Sequence, residues 1–231
     1  MTSPWLAFWD SPHPIYVNAR HKDVHYRLIA RQIAALVPGP QARVLDYGSG
    51  EAIHADLVAA VAAELLLCEA APRVRAGIAA RFAGNPKIQA IAPQDVERLP
   101  EHSLDLVVLH SVAQYLAPEA TDALFTLFHK LMKSDGVLIV GDVLPPRGAA
   151  VTDAASLLRF AAANGFVIAA LIGIARTVAS DYRRLRARLG VARYDEAAMI
   201  EKLAAAGFAA HAAPTIIGHD RARLAFAARP L

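Results

Sequence analysis

Arg43-Val44-Leu45-Asp46-Tyr47-Gly48-Ser49-Gly50-Glu51-Ala52 decides the fold: an apolar strand runs into a glycine turn and then into a helical pattern. Gly48 and Gly50 let the backbone turn sharply and approach a ligand where a side chain would collide, and the helix that follows is expected to present unpaired N–H groups. Asp46 stands two residues before the first glycine, at the strand's carboxyl end, and a second acid, Glu69, ends the next apolar run, Leu65-Leu66-Leu67-Cys68. This spacing puts two carboxylates over one crevice. An acid roughly 20 residues beyond such a turn is placed to accept hydrogen bonds from a ribose. Asp46 answers a different demand, because a carboxylate beside the turn repels a pyrophosphate and tolerates or attracts a cation.

Working outward, strands are expected at 43–47, 64–68, 88–92, 104–110 and 136–142, with helices at 53–63, 71–83 and 118–133 between them. Alternation of this kind predicts parallel strands joined by helical crossovers, and apolar runs without strict alternation fit a sheet covered on both faces. Ligands in such sheets sit at the carboxyl ends of the strands, where the strand order reverses. Asp46, Glu69, Asp95 and His110 all fall at or just past those ends. Residues 194–206 read as a helix stopped by Gly207, and 208–217 and 221–228 as two strands joined by Gly218-His219-Asp220, a short turn that implies antiparallel pairing. The expected fold is therefore α/β, a Rossmann-like doubly wound sheet that is mostly parallel and ends in a C-terminal antiparallel hairpin.

The run Val44-Leu45-Asp46-Tyr47-Gly48-Ser49-Gly50 resembles motif I of the class I S-adenosylmethionine-dependent methyltransferases. The likeness continues in Gln94-Asp95-Val96 with Leu99-Pro100, in Leu104-Asp105-Leu106-Val107-Val108-Leu109-His110-Ser111, and in Lys133-Ser134-Asp135-Gly136-Val137-Leu138. It covers residues 42–145 well and 194–229 by strand pattern only. It implies S-adenosyl-L-methionine as cofactor, held by Asp46, Tyr47, Gly48, Ser49 and Gly50, with Glu69 and Ala70 at the ribose and Gln94, Asp95 and Val96 at the adenine. Tyr16, Arg20 and His21 of an N-terminal arm would meet the methionine carboxylate. The third glycine position of the motif is Ala52, whose added methyl is expected to cause a small local shift.

Methyl transfer is a displacement at carbon on a cationic sulfur, so the protein mainly aligns donor and acceptor. A base is needed where the acceptor must lose a proton, and His110 at the end of the fourth strand is the candidate, as base or as a cofactor contact. Ser111, Gln114 and Tyr115 beside it would line the acceptor pocket. Nothing like the Asn/Asp-Pro-Pro-Tyr/Phe segment of amino-methylating nucleic-acid enzymes follows that strand, which argues against DNA adenine methylation and leaves RNA and protein acceptors open; nucleic acid is not the expected substrate.

Residues 1–41 read as an aromatic arm and a helix, 42–145 as a cofactor-binding core, 146–193 as a helical cap insertion and 194–231 as the last helix and strand pair, all within one domain. The insertion holds Phe166-Val167-Ile168-Ala169-Ala170-Leu171-Ile172-Gly173-Ile174-Ala175, too short to span a membrane and closed by Arg176. It predicts a buried cap helix with Leu171 and Ile172 at the acceptor, a membrane-touching face being the alternative; the same run is the surface a homodimer would use. The basic residues from Arg176 to Arg193 read as a solvated face, with an anionic partner as the alternative. His21 and His25 have an i,i+4 metal-chelating spacing but lack further ligands in an adjacent motif, so no metal is expected. The lone Cys68, in a strand, rules out an internal disulfide framework. A net charge of +3 points to no particular partner. With no basic leader and apolar segment at the start, the cytoplasm is the expected location. The leading function is a methyltransferase acting on a small-molecule or lipid-like acceptor; the alternatives are a cofactor-binding protein without catalysis and a nicotinamide-dependent oxidoreductase.

Overall fold

A computed structural model describes residues 4–11, 15–147, 150–177, 188–213 and 217–231. Five parallel strands, β1 (Arg43–Tyr47), β2 (Glu64–Cys68), β3 (Ile88–Ile91), β4 (Leu104–His110) and β5 (Met132–Val143), are followed by β6 (Phe208–Ala212) and β7 (Leu224–Pro230). The sheet order is β3-β2-β1-β4-β5-β7-β6, with β7 antiparallel to both β5 and β6. The chain steps outward from β1 to β3 and then returns to the other side of β1, so the order reverses between β1 and β4. That reversal opens a crevice at the strands' carboxyl ends.

Both faces of the sheet are covered, which explains why the strand runs do not alternate with polar residues. Val44, Leu65, Leu67, Leu106 and Val108 pack against α2 (Ala19–Leu36), α3 (Asp56–Ala59) and α4 (Pro72–Arg81). Leu45, Leu66, Val107 and Leu109 face the other way, onto Phe125 and Phe128 of α6 (Pro118–Leu131) and Met199 of α9 (Glu196–Ala205). Between β5 and α9 stand α7 (Ala150–Asn164) and α8 (Val167–Thr177). The remaining short helices are α1 (Pro4–Trp9), α5 (Pro93–Val96) and a 3-10 turn at Ala113–Tyr115.

The strands' amino ends are closed by charge pairing. Arg43 pairs with Glu64 and donates to Ser103 Oγ at 2.9 Å. Asp105 accepts the Arg43 backbone N–H at 2.8 Å and pairs with Lys133 Nζ at 2.7 Å.

Several local expectations change. The helix expected over 53–63 shrinks to α3, because Ala52 takes a left-handed φ of +42° and the chain turns again before helix begins. Here the missing glycine acts through backbone conformation, since an alanine at positive φ is strained. The described residues 150–177 of the cap insertion form two helices where one run was expected: Gly165, at φ +73°, ends α7, and the Phe166 N–H donates back to Ala161 O at 3.0 Å. β5 begins at Met132, and the link between β6 and β7 is longer than a tight turn. Residues 178–187, with Arg183, Arg184 and Arg186, and residues 214–216 lie outside the described residues. Among the described residues no helix is long and apolar enough to cross a membrane.

Candidate functional site

The glycine turn is braced from both sides. Gly48 and Gly50 have φ of +79° and +58°, and a Cβ on them would come 2.3 Å from Val112 Cγ2 and 2.6 Å from the Tyr26 hydroxyl. The N–H groups of Gly48 and Ser49 donate to Cys68 O at 2.8 and 3.2 Å. Glu69 then clamps the loops after β1 and β2 together, its carboxylate accepting the Gly50 N–H at 3.0 Å and the Ala71 N–H at 2.8 Å. The Glu51 N–H donates to the Tyr26 hydroxyl at 2.9 Å. The expected helix N-terminus is thus replaced by single N–H groups, two of them taken by Glu69 and Tyr26.

Asp46 lies at the bottom of this turn, only 9% exposed. Burial, and then the neighbouring charge of Glu69, push its pKa up to about 7. Among the described residues no cation forms an ion pair with it. Burial also raises Glu69, opposed by the hydrogen bonds it accepts from the backbone.

The N-terminal segment is fastened over this end. Asn18 caps α2 by accepting the His21 N–H at 2.8 Å. From α2, Lys22 pairs with Glu51 and Asp23 with His54 Nε2 at 2.7 Å, while Tyr16 hydrogen-bonds Tyr26. α1 crosses further along: Trp5 and Trp9 lie 4.7 and 5.4 Å from Tyr115 between ring centroids, and Asp10 accepts the Arg73 N–H at 2.7 Å.

At the ends of β4 and β5, Ser111 and Asp142 both take left-handed backbone conformations, φ +60° and +56°. The Ser111 hydroxyl donates to Asp142, whose carboxylate also meets Arg223 at 3.4 Å. Arg223 is shared with Asp153 and Asp220, each at 3.1 Å. His110 lies half-buried beside them; desolvation lowers its pKa and the Asp142 charge partly opposes this.

The other sequence candidates are spread more widely. Tyr47 packs on Phe128 at 5.4 Å, and Ala70 O accepts from Arg75 at 3.2 Å. Asp95 accepts the Ala92 N–H at 2.9 Å and so caps α5; Gln94 is exposed beside it and Val96 is buried. Gln114 is buried, with Oε1 unpartnered among the described residues. The structure does not bring Arg20 to the glycine turn, because its guanidinium donates to Asn164 O at the end of α7. His21 stacks on Phe166 at 5.0 Å, held to about pKa 4 by burial and then by His219. Leu171 and Ile172 face outward, 54% and 48% exposed, whereas Ala170 and Phe166 are buried against the arm, so only part of the expected buried cap helix is covered.

Sequence reasoning missed Tyr26, Asp142, His219 and Arg223, and read His25 only for its metal spacing. Tyr26 sits one turn from Lys22 on the helix face that meets the glycine loop, a periodicity that was available. Asp142 and His219 carried no local signal, since only the sheet order brings them to His110.

Residues 45–140 match a family model described as a methyltransferase domain. Comparison with curated proteins finds no match. Among solved structures, the chain resembles a putative methyltransferase in complex with the Trm112 methyltransferase activator of Haloferax volcanii, at 13% identity, covering 100% of this chain and 99% of that one with a TM-score of 0.58. A DhpI complex with S-adenosylhomocysteine matches at 13% identity over 97% of this chain and 94% of that one, TM-score 0.59. The mitomycin 7-O-methyltransferase MmcR matches at 17% identity over 92% of this chain and 56% of that one, TM-score 0.59.

Proposed function

We propose that this chain is a class I S-adenosylmethionine-dependent methyltransferase, its residues 45–140 matching the model of a methyltransferase domain, and that it methylates a small-molecule or lipid-like acceptor enclosed between the strand ends and the N-terminal arm. The observation that carries the acceptor class is enclosure: α1 and α2 are fastened across the carboxyl ends, and Phe160 of α7 and Phe166, just before α8, pack against His21 of α2. A covered site suits a compact, partly apolar acceptor better than an extended polymer.

The residues present fit the cofactor. Asp46 is a buried carboxyl in want of a cation, and the turn has no room for a side chain at Gly48 or Gly50. Bound there, S-adenosylmethionine supplies a methyl group on a cationic sulfur. Asp46 would face the cofactor's positive charge, Glu69 would hold the ribose while keeping its grip on Gly50 and Ala71, and Val96 would lie beside the adenine. His110 would take the acceptor's proton where one must leave. Residues 1–231 would act as one domain, the arm and cap serving the core. Ile168, at 76% exposure, extends the apolar face of Leu171 and Ile172, and self-association through this face would show as a dimer in sedimentation.

Incubation with S-adenosylmethionine carrying a labelled methyl and a panel of phenols, fatty acids and amines tests this reading. Label transfer to at least one compound is expected. Tight cofactor binding with no transfer to small molecules, and transfer instead to protein or RNA, would overturn the acceptor class.

A further inference from the structure

His25 on α2 and His110 at the end of β4 each bury an Nδ1 that has no hydrogen-bond partner among the described residues. His219, from the link between β6 and β7, joins them: its ring is 5.9 Å from that of His25, and a Cβ on Gly218 would lie 3.4 Å from His110 Cε1. The surrounding backbone is shaped for these rings. A Cβ on Gly141 would lie 2.8 Å from His110 Nδ1, so β5 keeps a glycine there. Gln32 of α2 accepts the Gly218 N–H at 2.8 Å and so ties the β6–β7 link to the helix that carries His25.

Flat ring faces frame the polar edges. His219 stacks on Phe160 at 4.3 Å and 15°, and His21 on Phe166 at 5.0 Å and 20°. Buried polar atoms are nearly always hydrogen-bonded, so two orphan nitrogens beside the crevice point to a ligand. The ligand is not a metal ion, because among the described residues no three such side chains are placed to share one.

Resting on the methyl-transfer reading above, we propose that His25 and His110 together receive the hydroxyl of an aromatic or conjugated acceptor, a phenol or enol, whose ring lies among His219, Phe160 and Tyr16. A neutral imidazole offers a donor on one nitrogen and a lone pair on the other, so two of them match a hydroxyl, which both donates and accepts. A carboxylate would need a free cation, but the nearby Arg223 is shared by three carboxylates. An ammonium only donates and would leave one nitrogen unanswered whenever that ring presents its N–H. Burial keeps the rings in the uncharged form this match requires: His25 is lowered to about 3 by desolvation and then by His110, and His110 is lowered by desolvation.

With its proton on Nε2, His110 accepts the hydroxyl proton at Nδ1 as the acceptor oxygen forms its bond to the methyl carbon. The carbon–sulfur bond breaks and its electron pair stays with sulfur. Asp142 faces the imidazolium so formed, and the proton then leaves to water. The products are a methyl ether, the neutral thioether and one proton.

The test uses 4-nitrophenol as probe and its methyl ether, 4-nitroanisole, as control, both titrated calorimetrically into the whole protein saturated with S-adenosylhomocysteine. The phenol is expected to bind at least tenfold tighter than the ether. His25→Asn and His110→Asn should each remove that preference while leaving S-adenosylhomocysteine affinity within twofold. Since a core variant can fail to fold, the wild type supplies a second reading: the 15N resonances of the His25 and His110 rings should move when the phenol is added. Equal binding of phenol and ether with unmoved ring resonances would mean that water alone satisfies the two nitrogens, and would overturn the proposal while leaving cofactor binding intact. Selective phenol binding without any S-adenosylhomocysteine binding would overturn the methyl-transfer reading and support the hydroxyl site.

Discussion

At the amino ends of β1 and β4, Arg43, Glu64, Asp105 and Lys133 are all paired, and Ser103 completes the set. At the carboxyl ends of the same strands, Asp46 has no ion pair among the described residues, His25 and His110 carry orphan nitrogens, and Ala52, Ser111 and Asp142 hold left-handed backbone, whereas the amino end has one such backbone, at His102 just before β4, and one orphan nitrogen near it, His129 Nε2 at the end of α6. The two ends share the same strands and the same core, so their difference is not imposed by the sheet. Strain and unpaired polar groups persist where the rest of the fold can carry their cost, and they cluster at working sites. One end is built to close the sheet and the other to receive something.

The comparison would break first at Gly48. Gly48→Val should cost about 1–3 kcal/mol for overpacking against Val112 and about 1–3 kcal/mol for its positive φ, with cofactor binding lost. A thermal midpoint and cofactor affinity equal to wild type would mean that Val112 moves aside and the turn is not closely built.

Asp46 tests the cost of leaving a carboxyl unpaired. Its folded pKa is raised to about 7, so the empty protein is favoured by this group at low pH and loses that advantage as pH rises from about 4 to about 7. Asp46→Asn should therefore stabilise the cofactor-free protein at pH 8 by roughly 2–4 kcal/mol, less whatever water relieves, and change little at pH 4. Destabilisation at pH 8 would show that the carboxylate is satisfied in the fold.

Glu69→Ala should weaken S-adenosylmethionine binding by about 1–3 kcal/mol, the range for hydrogen bonds to a charged group. Because Glu69 also clamps Gly50 and Ala71, faster hydrogen exchange at those amides should accompany it. Unchanged affinity would remove Glu69 from the cofactor site. The smallest effect belongs to the closed end, where Arg43→Met should cost at most about 1 kcal/mol of stability, as expected for a partly exposed pair, and leave cofactor affinity unaltered. A change in affinity there would show that the two ends are coupled.

Much of this contrast was legible in residues 43–69. Apolar runs ending in Asp46 and Glu69 around a glycine turn fix parallel strands and mark their carboxyl ends, because that local order is also the spatial order. In the sequence Ala52 reads as a change in packing, and only the left-handed backbone shows why the helix starts late. α1 was hidden because a six-residue helix beside prolines has no periodicity to read. The convergence of His25, His110 and His219 depends on β7 inserting between β5 and β6, a pairing across most of the chain that no local pattern encodes. The apolarity of Leu171 and Ile172 does not say which side of α8 the arm covers.

The most direct test of the open end is calorimetric titration of S-adenosylmethionine at pH 6 and pH 8, with wild type and Asp46→Asn. If Asp46 waits for the cofactor's positive charge, wild-type affinity should rise by about tenfold between the two pH values, with protons released on binding, and Asp46→Asn should bind weakly and without that dependence. Absence of binding at both pH values, or the same pH dependence in Asp46→Asn, would contradict the account.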